Sequence, residues 1–179
     1  MSRPISHVNL KIPFFTDEIL NKIKVFAVKA HEENDYQWNP PGGIGLSYFK
    51  GELLSIVDEY VNDMIIDSRG PPMFAITGAN TLMHKHIDDF GIYSKILIPL
   101  LPMKNLQPCP YYHEDGSLEM VEMKPYRPVL MDTYIPHGGY ITNDSIRVTL
   151  QLTFNIRMNE VIELIKAKQF TKTFECSIL

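Results

Sequence analysis

Histidine and aspartate, two residue types that bind divalent metals, crowd into one short stretch, Thr81-Leu82-Met83-His84-Lys85-His86-Ile87-Asp88-Asp89. On an extended chain successive side chains alternate between faces. His84, His86 and Asp88 therefore share one face, and Lys85 and Ile87 point the other way. An imidazole and a carboxylate two residues apart can grip one metal from a strand end, and a third ligand must then come from elsewhere. His137, in Tyr134-Ile135-Pro136-His137-Gly138-Gly139, is the candidate. Two histidines and one carboxylate on one side of a metal leave three adjacent positions open, an arrangement suited to non-haem Fe(II). A structural site would instead close around its metal with four ligands.

A lone H-x-D is common by chance, so the weight falls on the residues beyond His137. Ten residues on stands Arg147, in Arg147-Val148-Thr149-Leu150-Gln151-Leu152-Thr153-Phe154, after the turn signal Asn143-Asp144-Ser145. His137 and Arg147 then sit on neighbouring antiparallel strands, and an even register points both inward. Two residues along a strand advance about 6.6 Å, roughly the reach of a five-carbon dicarboxylate. Arginine presents a rigid fork of donors that matches a carboxylate, and Thr149 adds a hydroxyl to the same face. By alternation Arg147, Thr149, Gln151 and Thr153 line a polar pocket, while Val148, Leu150, Leu152 and Phe154 pack beneath helices.

The elements that must position these groups are set by periodicity. A helix is expected from Thr16 to about Ala30, capped by Thr16, with Asp17 and Glu18 at the positive end of its dipole. Its apolar stripe is Ile19, Ile23, Phe26, Ala27 and Ala30. Residues 34–45, with Trp38 and Pro40-Pro41-Gly42-Gly43, read as a loop, with a substrate lid as the alternative to a structural role. A second helix fits Gly51 to about Ile66, stopped by Gly70-Pro71-Pro72. Strands are expected near 73–77, 81–87, 92–99, 109–113, 118–123, 128–133, 134–141 and 146–156, and a last helix at 159–168. The order of helices, about eight short strands, then a helix predicts a mainly β core with flanking helices, built as a jelly roll. The chain is read as one domain over 1–179, with helical cover at 16–66 and the β core at about 73–156.

Bulk properties exclude other roles. A net charge of −4 offers no basic field for nucleic acid. Lys166, Lys168 and Lys172 read as a solvated helix face. Cys109 and Cys176 have no metal spacing, so free thiols in a reducing, cytoplasmic setting are expected. No run is apolar enough to span a membrane, and no apolar leader follows Met1. The ending Cys176-Ser177-Ile178-Leu179 only loosely matches a prenylation box.

The pattern His86-Ile87-Asp88, then about fifty residues to His137, then ten to Arg147-Val148-Thr149, resembles the 2-oxoglutarate/Fe(II)-dependent dioxygenases. The resemblance covers roughly 74–156. The stretch Asp132–Leu150 is similar to the aspartyl/asparaginyl hydroxylase-like branch and to small phage and bacterial oxygenases, although many members of that hydroxylase branch lack the carboxylate ligand that Asp88 supplies here. It implies a double-stranded β-helix, Fe(II) on His86, Asp88 and His137, and 2-oxoglutarate with its distal carboxylate on Arg147 and Thr149. It also implies dioxygen as a reactant, succinate and CO2 as products, and oxidation of a C–H bond in a small molecule, amino acid or peptide. Tyr93, at the start of the strand after H-x-D, is the implied further contact to the co-substrate. Two alternatives stay open: a cupin-like metal barrel using His84, His86 and His137, and a barrel that binds a small acid without turnover. His7 and His31 read as surface groups, and His113 as the flank of a turn.

Overall fold

The computed structural model describes residues 5–12, 15–33, 44–48, 51–64, 73–88 and 91–179. In chain order the elements are β1 His7–Lys11, α1 Asp17–Glu32, β2 Ile44–Tyr48, α2 Gly51–Asp63, β3 Met73–Thr77, β4 Leu82–Met83, β5 Ser94–Leu101, β6 Cys109–Tyr112, β7 Leu118–Val121, β8 Val129–Asp132, β9 Tyr140–Ile141, β10 Arg147–Phe154, α3 Met158–Lys166 and β11 Ser177–Ile178.

The helices form where periodicity put them. The Thr16 side chain accepts the Ile19 N–H at the start of α1, whose buried residues are Leu20, Ile23, Ala27 and Ala30. At the end of α2 the Asp63 carboxylate accepts from the Thr173 backbone N–H at 2.9 Å and its hydroxyl at 2.7 Å, which ties the C-terminal segment down. α2 stops at Asp63, and the expected stop at Gly70-Pro71-Pro72 lies outside the described residues, as do Trp38 and Pro40-Pro41-Gly42-Gly43. Ile44 and Gly45, expected in a loop, begin β2.

The architecture is mixed β/α, dominated by an antiparallel sheet of seven strands in the order β11-β1-β8-β5-β10-β3-β2. Two-stranded ribbons, β4-β9 and β6-β7, stand apart from it. Three of the seven strands, β1, β2 and β11, lie outside the segment expected to hold the β core. Each is short, and β1 and β11 gain their order by pairing with distant chain: β1 with β8 and β11 with β1. Among the described residues no hydrogen-bonded sheet closes into the expected barrel. The segment expected as a strand over 134–141 pairs regularly only at Tyr140 and Ile141, and that over 81–87 only at Leu82 and Met83. Single-residue bridges, His86 with His137 and Tyr111 with His137, carry the pairing further.

The large sheet separates two apolar clusters. On one face Phe74, Ile76, Ile98, Val148, Leu150 and Phe154 pack with residues of α1 and α3. On the other, Leu97, Val129 and Met131 meet Cys109, Tyr111 and Val121 of the β6-β7 ribbon. Strand β10 runs through the middle, paired to β3 and β5, so its alternation sends Val148, Leu150, Leu152 and Phe154 to the helices, as expected.

No helix among the described residues is long and apolar enough to cross a membrane. Lys166 is exposed and paired with Glu163, and Lys168 with Glu175. Lys168 and Lys172 lie beyond the end of α3, so the three lysines are solvated but not one helix face. His7 is only partly exposed, and both it and His113 face Glu119.

Phe154 is fully buried, and truncating a buried Phe to Ala typically costs about 3–5 kcal/mol because a cavity is left. Phe154→Ala is expected to lower the urea midpoint accordingly, with the denaturant slope unchanged.

Candidate metal centre

The site begins with the backbone. His86 N–H donates to His137 O and His137 N–H to His86 O, both at 2.8 Å, so the two chains run side by side. On the far side of His137, Tyr112 N–H donates to Pro136 O at 2.8 Å and Gly138 N–H to Pro110 O at 3.1 Å. The ring of Tyr111 stacks on His137, with centroids 5.3 Å apart. Asp88 is anchored by its own N–H to Thr133 O at 3.1 Å, just past β8.

Gly138 makes the close approach possible. Its φ is +87°, a region disfavoured for residues with a Cβ, and a Cβ there would stand 2.5 Å from His84 O. Gly139 follows at +76°.

The histidine tautomers are set by their neighbours. His86 Nδ1 lies 2.8 Å from His84 O, and His137 Nδ1 3.0 Å from Ile135 O. A carbonyl can only accept, so each Nδ1 carries the hydrogen and each Nε2 keeps its lone pair. The two Nε2 atoms converge on Asp88, His86 at 3.7 Å from Oδ1 and His137 at 3.9 Å from Oδ2. One donor atom from each of the three residues falls within 4.8 Å of the others. His137 Nε2 is buried without a hydrogen-bond partner, an arrangement that costs free energy unless something satisfies it. Two bare imidazole nitrogens and a carboxylate facing one point fit a divalent metal such as Fe(II). Burial, helped by the Lys95 charge, pushes the His137 pKa down to about 4, so this ligand is neutral and ready to coordinate.

Lys95, which the motif does not include, is the second charged group here, beside Asp88. Its Nζ lies 2.6 Å from Asp88 Oδ2 as an ion pair, with its side chain 9% exposed. With burial opposing them, Lys95 first, then His137 and His86, hold the Asp88 carboxyl below its ordinary range.

Arg147 is buried at the start of β10, where the pairing to β3 runs in unbroken register and the partner strand β5 carries the extra residue, Leu100, opposite Val148 and Thr149. Its Nη1 donates to the Tyr140 hydroxyl, and its guanidinium lies 5.2 Å from that ring. Burial raises the Tyr140 phenol to about 12, against the Arg147 charge, so it stays neutral. Thr149 is buried two residues on, on the same face. Cys109 is buried within the influence of both Arg147 and Lys95; desolvation raises its thiol pKa against those charges.

The structure thus brings His86, Asp88 and His137 together. It does not bring the His84 imidazole in: His84 is exposed and serves through its carbonyl. Tyr93 stacks on Tyr134 at 5.1 Å and lies beneath Arg157 at 5.0 Å, while the phenol at Arg147 is that of Tyr140. Strict alternation from His137 would put Tyr140 on the opposite face; the two positive-φ glycines between them break that parity. The signal for Lys95 was present: it is the one charged residue in the otherwise uncharged strand Ser94–Leu101.

No protein-family model and no curated protein matches the sequence. Solved structures do match in shape. A prolyl-4-hydroxylase from Pseudomonas putida superposes with a TM-score of 0.61 at 14% identity, over 83% of this chain and 91% of that one. This chain shares its fold with that hydroxylase. An oxidoreductase of the 2OG-Fe(II) oxygenase family from Burkholderia pseudomallei gives 0.62 at 10% identity, over 83% and 84% of the two chains. A prolyl hydroxylase from Trichoplax adhaerens, in complex with a hypoxia inducible factor oxygen degradation domain peptide fragment, gives 0.59 at 15%, over 81% of each.

Gly138→Ala forces a Cβ against His84 O in a strained conformation, a class of strain that costs about 1–3 kcal/mol; a lower melting temperature and at least tenfold weaker Mn(II) binding are expected. In the metal-free protein the His137 proton makes stability depend on pH. Unfolded, His137 takes up a proton near 6.5; folded, only near 4. Its full contribution therefore exists above 6.5 and is lost as pH falls towards 4, by up to about 3 kcal/mol. Chemical denaturation across that range should show the loss, and His137→Gln should flatten it.

Proposed function

We propose that the protein is an Fe(II)- and 2-oxoglutarate-dependent dioxygenase. The observation that carries this reading is the placement of a buried guanidinium, Arg147 with the neutral phenol of Tyr140, on the same side of the sheet as the open His86-Asp88-His137 set. The shared fold with the three oxygenase structures supports it. The core is then a double-stranded β-helix, in which the seven-stranded sheet is one wall and the two ribbons, joined through His137, are the other.

In this reading His86 and His137 supply Nε2 and Asp88 a carboxylate oxygen. When bound, Fe(II) supplies the coupling of dioxygen to the decarboxylation of 2-oxoglutarate, yielding succinate, CO2 and an oxidised C–H bond. Arg147 holds the distal carboxylate of the co-substrate through its fork of donors, and Tyr140, as an un-ionised phenol, adds a hydroxyl at the same point. Thr149 lies along the same face for a further bond. The position given to Tyr93 by the sequence passes to Tyr140, because Tyr140 is the phenol that meets Arg147. The prime substrate is a small molecule, amino acid or peptide admitted on the exposed side of His86.

Removing any of the three ligands, as in His86→Ala, Asp88→Ala or His137→Ala, should abolish iron retention and succinate formation, whereas His84→Ala should keep the metal. Arg147→Ala should weaken 2-oxoglutarate binding at least about thirtyfold, since truncating one partner of a buried charge pair costs about 2–5 kcal/mol. Anaerobic titration of 2-oxoglutarate into the Fe(II) protein, followed by its charge-transfer absorption, measures this. Parent-like affinity in Arg147→Ala would remove the reason for assigning this co-substrate.

A further inference from the structure

Lys95 is the buried charge that the proposed reaction does not use. It stands on the pocket face of β5, opposite Met131 of β8 and Thr153 of β10. Its side chain is 9% exposed, and among the described residues its carboxylate partner is Asp88. If Asp88 is a metal ligand, that one negative charge is shared between a dication and an ammonium. The two negative charges of 2-oxoglutarate and the one of Asp88 offset the two of the metal and the one of Arg147. The Lys95 charge is left over, and an uncompensated buried charge is strongly unfavourable.

From this excess, and resting on the dioxygenase reading above, we infer that the prime substrate is a carboxylic acid whose carboxylate is held by Lys95 beside the metal. Arg157 is exposed and lies 3.7 Å above the Tyr134 ring and 5.0 Å above that of Tyr93, where it also faces Asp132. Tyr93 precedes Lys95 by two residues, and Tyr134 follows Thr133, the residue that anchors Asp88. A second cation thus stands over a ring close to Lys95 along the chain, offset by Asp132. A neutral substrate would leave Lys95 unmatched, and a cationic one would add to the excess.

The test uses the full chain, anaerobic, with Mn(II) in place of Fe(II) and saturating 2-oxoglutarate. Butyrate is compared with butyramide, and N-acetylglycine with N-acetylglycinamide, by the Mn(II) electron-spin-resonance line shape. The acid of each pair should bind at least tenfold more tightly than its amide. Lys95→Met should bring the ratio to about one, measured at Mn(II) and 2-oxoglutarate concentrations raised until that variant is fully loaded. Lys95→Arg should keep the preference, which separates loss of charge from loss of folding. Equal binding of acid and amide by the parent protein, or an undiminished preference in Lys95→Met, overturns the assignment of Lys95. Failure of the parent to bind Mn(II) or 2-oxoglutarate at all would instead overturn the dioxygenase reading, and the acidic substrate with it.

Discussion

The reciprocal pair of backbone hydrogen bonds between His86 and His137 is the constraint on which the site depends. It brings together two residues that lie far apart in sequence, and it fixes the distance between their imidazoles, whose centroids are 4.5 Å apart. It can form because Gly138 carries no Cβ and lets the chain pass His84 O closely. It also joins the two ribbons, since His137 bridges Tyr111 on its other side. Everything else in the centre is hung from this junction: the carbonyls that hold each Nδ1, the Asp88 anchor at Thr133 and the Tyr111 ring against His137.

Around that junction the charges are kept in balance by burial. Desolvation and Lys95 keep His137 unprotonated, whereas the nearby cation keeps Asp88 ionised. One lysine thus favours the ligand form of two residues of opposite acid-base type, which a neutral side chain in its place could not do. On the same face of the sheet Tyr140 shares its oxygen with Arg147 and stays neutral. The polar groups are carried on the face of a sheet whose opposite face is largely apolar, so their positions are set by the packing of Val148, Leu150 and Phe154 against helices.

The three candidate ligands were legible because their signal is local or nearly so. H-x-D needs only the two-residue repeat of an extended chain, and the spacing from His137 to Arg147 needs only one turn. The β10 alternation was legible for the same reason. The roles of Lys95 and Tyr140 were not legible, for different reasons. Lys95 stood out as the one charged residue of its strand, yet a lone lysine looks like a surface residue until both neighbouring strands are placed. Tyr140 was masked by Gly138 and Gly139, whose positive φ shifts the face of the residues after them. Strands β1, β2 and β11 owe their existence to partners remote in sequence, and no periodicity within five residues could have announced them. The closed barrel was expected from strand number and from the family resemblance, but neither tells how long each pairing runs.

The two sides of the centre differ in how firmly they are held. Arg147 and Lys95 belong to strands paired on both edges within a seven-stranded sheet. His86 and His137 belong to a layer whose β4-β9 ladder is two residues long and which continues only through isolated bridges. Local opening costs least where few hydrogen bonds must break together. The histidine layer is therefore the seam along which amide protons exchange first, and an ion that draws three side chains to one point acts as a stitch across it. Slow exchange at the His86 and His137 amides would then be a property of the loaded protein, while the amides of β5 and β10 stay protected in either state.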